Sequence, residues 1–331
     1  MKNKLLLTTA IAGTFAFAGA SFAETKVVGN LETTINATSS DTAINSGRGI
    51  DAETNIGLEG SKELDNGLTA KYGFMIENGN SDTEFLTVGT DVVNFAIGTD
   101  FGNNLSQTAV PHVGDQAGTV AGAAGTVTGK NIPVANAHNA SHVGININAA
   151  GGTITARYTP DVGNTRGTAS NISGDAGDSA QEYMYSGNLG VEGLSLIIGH
   201  GVEDAATDSG TESGKHQKLS AAYNFGAVSV GAEKQKSETA AATASQVETD
   251  TNKGGISFAV SDSVTLGLNY QETERKTGGV KSADDEKITM VSIGYNMGGL
   301  GIQIQYADIS DLGNATGVDA EALQIRTIQK F

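Results

Sequence analysis

The sequence predicts an all-β fold, a sixteen-stranded antiparallel transmembrane β-barrel. Three observations carry this. Apolar and polar residues alternate with a period of two in segments of about ten residues, long enough to cross a bilayer when tilted. The connections between these segments alternate between short turns and long loops, as they do around the two rims of a membrane barrel. No long segment shows the 3.6-residue periodicity of an amphipathic helix, and none beyond the first twenty-three residues is apolar for the ~18 positions that a transmembrane helix needs.

Residues 1–23 stand outside the fold. Lys2 and Lys4 precede an apolar run over residues 5–17, and Ser21-Phe22-Ala23 offers small residues for cleavage. That is a secretory signal. An anchoring helix fits less well, because the run is short and broken by Thr8, Thr9 and Gly13. Residues 24–331 are left for the barrel. The first strand spans 26–38, with Val27, Leu31, Thr33 and Ile35 on one face and Lys26, Asn30, Glu32 and Asn36 on the other. A loop over 39–48 leads to the clearest hairpin, over 50–78. Ile50, Ala52, Thr54, Ile56 and Leu58 share its oily face with Leu68, Ala70, Tyr72, Phe74 and Ile76. Asp51, Glu53, Asn55 and Glu59 share the polar face with Lys71 and Glu77. The turn at 61–67 carries Asp65-Asn66-Gly67, residues that tolerate left-handed backbone angles. A link over 79–82 precedes strands at 83–89 and 93–100.

Residues 101–138 then form a Gly-, Ala- and Thr-rich gap without strand pattern; a loop that long is usually functional or disordered. Paired strands follow at 140–149 and 153–159, 181–189 and 194–201, 217–224 and 228–236, 255–260 and 264–272, and 287–296 and 300–309. A last strand covers 321–331. The long connections fall at 160–180, 202–216, 237–253, 273–286 and 310–320. An even strand number places both termini on the short-turn rim.

Composition excludes several functions. Without cysteine there is no disulfide framework and no thiolate metal site. The net charge is −17, and without residues 1–23 the remaining 18 basic and 37 acidic residues give −19. Nucleic acid, which needs Lys and Arg clusters, is not an expected partner. His142 beside Ser141 is not a catalytic pair, because neighbours on a strand face opposite sides. No catalytic residue is therefore expected. Residues 125–131, GTVTGKN, have the wrong spacing for a phosphate loop, with Asn131 where Ser or Thr is required. No cofactor is expected; Asp284-Asp285-Glu286 could offer calcium hard oxygen ligands, but solvated loop charge is the favoured reading. A secreted β-solenoid adhesin or surface-layer protein is the rival architecture, yet no repeat of constant length is visible. There is no Trp, and the tyrosines fall mostly on the lipid-facing parity, so no aromatic track names a solute.

The stretch IGLEGSKEL, the DNG turn and GLTAKYGF resemble the second-to-third strand hairpin of the general, trimeric porins of Gram-negative outer membranes. The terminal Phe331 resembles the outer-membrane sorting signal read by the barrel-insertion machinery, with Gln329 departing from the aromatic or apolar residue usual two positions earlier. The resemblance implies short periplasmic turns, long extracellular loops and an inward-folded third loop over 101–138. It implies a water-filled channel for passive diffusion of ions and small hydrophilic solutes, a homotrimer, and contact with outer-membrane lipid and lipopolysaccharide. The family's constriction sets loop carboxylates against basic wall residues. Here Asp115 supplies the carboxylate, Lys130 also lies in the loop, and Lys71 and Arg157 qualify for the wall, with Arg48 near the second strand's outer end. Inward Glu59 and Glu77 add negative charge, so weak cation selectivity is expected. The family loop's PEFGG-like core is absent, and the link 79–82 is short for a loop that latches neighbouring subunits. The protein is expected to leave membranes only in detergent, with an almost wholly β circular dichroism spectrum. A helix-dominated spectrum, or a monodisperse protein in plain buffer, would contradict the barrel.

Overall fold

A backbone amide in hydrocarbon has no water to bond, so a membrane strand needs a hydrogen-bonded neighbour on each side. The computed structural model describes residues 24–41, 46–99, 102–124, 127, 141–160, 179–204, 211–239, 241–242 and 245–331. Residues 1–23, expected to be a secretory signal, and Lys130 lie outside the described residues. Sixteen long strands follow one another: β1 Glu24–Ser40, β2 Gly47–Glu63, β3 Thr69–Glu77, β4 Asn80–Gly89, β5 Val93–Thr99, β6 His142–Ala149, β7 Gly152–Thr159 and β8 Ala180–Gly187. They continue with β9 Leu194–Glu203, β10 Gly214–Asn224, β11 Val228–Glu238, β12 Val247–Ala259, β13 Val264–Thr277, β14 Glu286–Met297, β15 Leu300–Ser310 and β16 Ala320–Lys330. Each pairs antiparallel with the next. β1 then pairs with β16, from Asn30 opposite Lys330 to Ser40 opposite Ala320, and closes the ring. A closed antiparallel ring is not a solenoid, whose neighbouring strands would come from a repeated parallel coil, so that alternative falls.

The two faces have opposite chemistry. Leu31, Ile56, Phe74, Ile97, Leu219, Val291 and Ile304 are exposed on the outside, where lipid would cover them. Six of the eight tyrosines, Tyr158, Tyr183, Tyr223, Tyr270, Tyr295 and Tyr306, are exposed on that same outer parity. Inward residues are polar and buried: Asn55, Thr155, Ser220, Gln235, Thr251, Gln271 and Gln305. An apolar cluster does exist inside, where the short helix α1, Ala117–Ala121, packs Val120 and Ala121 on Ile288, Met290, Ala307 and Ile309.

Several strands run further than hydropathy predicts. β12 begins at Val247 rather than 255, and β13 continues to Thr277. The connection read at 237–253 shrinks to 239–246. At these ends both faces are polar; Lys234 and Lys236 on β11 pair with Asp250 on β12 at 3.1 and 3.5 Å. Alternation of hydropathy stops where lipid stops, but the backbone ladder does not. The β3–β4 link is also shorter than 79–82. It is Asn78-Gly79, both left-handed at φ 48° and 86°, the two-residue turn whose twist matches a hairpin.

The chain end takes part in closure. Phe331 N–H donates to Gly29 O at 3.1 Å and Gly29 N–H to Phe331 O at 3.2 Å. The Phe331 ring lies over Gly29, where a Cβ would come within 2.8 Å of it. Deleting Phe331 removes both bonds, a loss of roughly 1–3 kcal/mol. The expected outcome is an earlier unfolding transition in detergent, followed by the heat-dependent shift of the folded band on electrophoresis.

Candidate functional site

The segment 102–124 follows β5 and has almost no regular structure of its own. Its backbone polar groups therefore need partners from elsewhere, and the inner wall supplies them strand by strand. Arg157 on β7 donates Nη2–H to Asn103 O at 2.7 Å. Leu105 packs into a pocket of Ala180, Met184 and Ile197 on β8 and β9. On β10, Lys218 donates Nζ–H to Gln107 O at 2.9 Å, and Ser220 Oγ accepts the Ala109 N–H at 2.9 Å. On β13, Asn269 donates Nδ2–H to Pro111 O at 2.7 Å. On β15, Gln305 clamps Asp115 twice, accepting its N–H at 3.0 Å and donating to its carbonyl at 2.7 Å. The segment thus crosses the inside of the wall from β7 to β15, and α1 then seats against β14–β16.

Charge completes the path. Arg326 on β16 donates Nη1–H to Asp115 Oδ1 at 2.5 Å, and its Nη2 and Nε bond Glu32 on β1. A planar guanidinium suits this double grip. Glu53 on β2 stands directly opposite Glu32 in the ladder. Behind the segment, Lys218 and Lys253 flank Glu233 at 3.6 and 3.2 Å, and Arg157 lies 3.6 Å from Glu182. All five side chains of these two groups are nearly inaccessible.

Asp115 lies on the segment held against the inner wall by Gln305. Its basic partner is Arg326, which the sequence reading missed. Parity could have found it, because Arg326 shares the inward face of β16 with Ala322 and Gln324, opposite Leu323 and Phe331. Arg157 is on the wall but engages Glu182 and a loop carbonyl instead of facing Asp115. Lys71 is exposed near the short-turn end of β3, opposite Ser61 and Thr87, and is not brought to Asp115. Arg48 requires correction. It pairs with Ala37 on the outward parity of the β1–β2 ladder, so it does not line the lumen. Glu59 forms an exposed pair with Lys26 at 3.4 Å, and Glu77 stands inward opposite Asn55 at the far end of β3.

The acidic loop residues are engaged locally. Asp284 accepts the Thr316 hydroxyl at 2.5 Å, Asp285 pairs with Lys281 at 3.2 Å, and Glu286 accepts the Gly313 N–H at 2.7 Å. Among the described residues, no group of three or more His, Asp or Glu is placed to hold a metal ion.

The family described as Gram-negative porin matches residues 8–314. No curated relative matches the sequence. Among solved structures, a porin refined at 1.8 Å is 15% identical, with 93% of this chain and 100% of that one covered at a TM-score of 0.67. OmpT, an outer membrane protein of Vibrio cholerae, is 13% identical, covering 93% and 97% at 0.66. The outer membrane channel DcaP of Acinetobacter baumannii is 12% identical, covering 95% and 99% at 0.69. At these identities the likeness is one of fold.

Replacing Arg326 by Ala leaves Glu32 and Asp115 facing each other without their cation. The side chain is only 21% exposed, so the loss is about 2–3 kcal/mol, below that of a fully buried pair. Urea unfolding in detergent is expected to show this, together with noisier single-channel current as the Asp115 end of the segment loosens. Arg326→Lys is expected to restore little of it, because an ammonium cannot grip both carboxylates in one plane.

Proposed function

This chain belongs to the Gram-negative porins of the outer membrane, and from that premise we propose that it passes ions and small hydrophilic solutes by passive diffusion, with a weak preference for cations. The family and the barrel point to a channel rather than an enzyme. The observation that carries the reading is the closed ring of strands with a polar inner face. A polar lumen spares a hydrophilic solute the cost of entering hydrocarbon, and its width and lining charge select what passes. The segment 102–116 is the narrowing element on this reading.

Cation preference follows from which charges meet the lumen. Arg157, Lys218 and Lys253 are covered, each against a carboxylate. Arg326 pairs with Asp115 and Glu32, and a third carboxylate, Glu53, stands opposite Glu32. The local balance is negative, and a mouth lined by one sign concentrates the opposite ion. Lys26 and Lys71 lie at the short-turn end, where Glu59 pairs with Lys26.

A homotrimer is part of the proposal. The trimer form of the Vibrio cholerae protein supports it. With only Asn78-Gly79 between β3 and β4, subunits would meet wall to wall without a latch from that turn. Phe331 is proposed as the residue read during insertion, being exposed on the lipid-facing side.

Reversal potentials across planar bilayers under a potassium chloride gradient test the selectivity. Cation preference is expected, falling as salt rises, because the screening length drops from ~10 Å at 0.1 M to ~3 Å at 1 M. Glu53→Gln combined with Asp115→Asn is expected to move the potential toward zero. A chloride-preferring parent would refute this reading of the charges.

A further inference from the structure

The segment 102–116 lies flush on the wall because wall residues at several contact points have no side chain. At Gly294 on β14, a Cβ would stand 2.7 Å from Val113 Cγ1, and the next nearest atom is Thr265 O at 4.0 Å. At Gly267 on β13, a Cβ would first meet Ser292 Oγ on β14 and then Val113 Cγ2 at 3.1 Å. One strand further, a Cβ at Gly255 would meet Val110 Cγ1 at 2.7 Å and Pro111 O at 2.5 Å. Neither Gly267 nor Gly294 has the left-handed backbone that favours glycine, and glycine inside a strand weakens it. At Gly294 the local fold therefore gives no reason for glycine, and the room taken by Val113 does; at Gly267 the Ser292 hydroxyl claims the space as well.

We propose that Gly267 and Gly294 set the width of the pore by fixing how close Val113, and the segment that carries it, lies to the wall. This rests on the reading of the barrel as a channel narrowed by that segment. Carbon atoms pack at about 3.5–4.0 Å, so a methyl at 294 forces Val113 away by roughly 1 Å. The wall cannot yield outward, because β14 is laddered to β13 and β15 on both sides. The segment cannot slide along it, because Asn269 holds Pro111 and Gln305 holds Asp115. The remaining direction is toward the lumen axis. Larger side chains at 294 should therefore narrow the pore, and the exclusion limit is written in the wall as much as in the loop.

The test uses the full chain in planar bilayers for single-channel conductance, and in liposomes for swelling in neutral sugars of increasing size. Gly294→Ala is expected to lower conductance and Gly294→Leu to lower it further, with swelling rates falling most for the largest sugars. Gly254→Ala is the control. Its Cβ, one residue from Gly255 but on the lipid side, meets nothing within 4 Å, so conductance should match the parent. Adding Val113→Gly to Gly294→Leu should restore the parent's conductance and sugar cut-off, a rescue that general damage to the barrel would not give. If the leucine variant does not insert, Gly294→Ala reads the same quantity with one methyl. A conducting parent whose folded Gly294 variants keep its conductance and cut-off overturns the gauge alone, as does a loss that Val113→Gly leaves in place. A parent that forms no channel overturns the channel reading and the gauge with it.

Discussion

Hydrocarbon offers no hydrogen bonds, and a strand that crosses it must find both of its neighbours within the sheet. From this need follow the closed ring, the pairing of first strand with last, and the inversion of polarity between the two faces. An open edge in lipid would leave a row of unbonded amides, each costing several kcal/mol. Phe331 extends the seam by one more pair, onto Gly29. Once the ring closes, alternate side chains have nowhere to go but lipid or lumen. The same period-two alternation that makes the outside oily makes the inside a polar surface.

That inner surface is what holds the segment 102–124. A chain without helix or strand must still satisfy its amides, and here Ser220 on β10, Asn269 on β13 and Gln305 on β15 meet it in turn. The buried ion groups, Arg157 with Glu182 and Lys218 with Glu233 and Lys253, are poor candidates for net stabilisation, because desolvation offsets their attraction. Their effect is positional. Arg157 and Lys218 each spend a donor on a loop carbonyl, so the segment is indexed to particular strands. Apolar contact adds the rest: Leu105 at one end, and α1 with its partners on β14–β16 at the other.

The charges behind the segment, Arg157, Lys218 and Lys253 with Glu182 and Glu233, are covered, while Arg326 and Asp115 are partly exposed. A channel can carry nearly balanced charge in its wall and still present one sign to a passing ion, since solvent contact decides which charges the ion meets.

The sequence by itself determined the strands, their faces and the turns. Alternation is local, so Leu31, Ile35, Ile56 and Leu58 declare the lipid side without knowledge of their neighbours, and Asp65-Asn66-Gly67 declares a turn by its tolerance of left-handed angles, which Gly67 adopts at φ 78°. Strand ends were legible only up to the edge of the lipid. Beyond it, as at Val247 to Lys253, both faces are polar and only the ladder shows a strand. Tertiary structure alone decided the site. Asp115 and Arg326 are far apart in sequence and meet because the ring brings β16 beside β1 and because the segment crosses the inside of the wall. Arg48 shows the converse: its place near the second strand's outer end suggested the lumen, but it shares the parity of Ile50 and Ile56 and stands opposite Ala37 on the outward face. Closure and register are properties of pairing between distant strands, and hydropathy along one strand carries no record of which residue stands opposite.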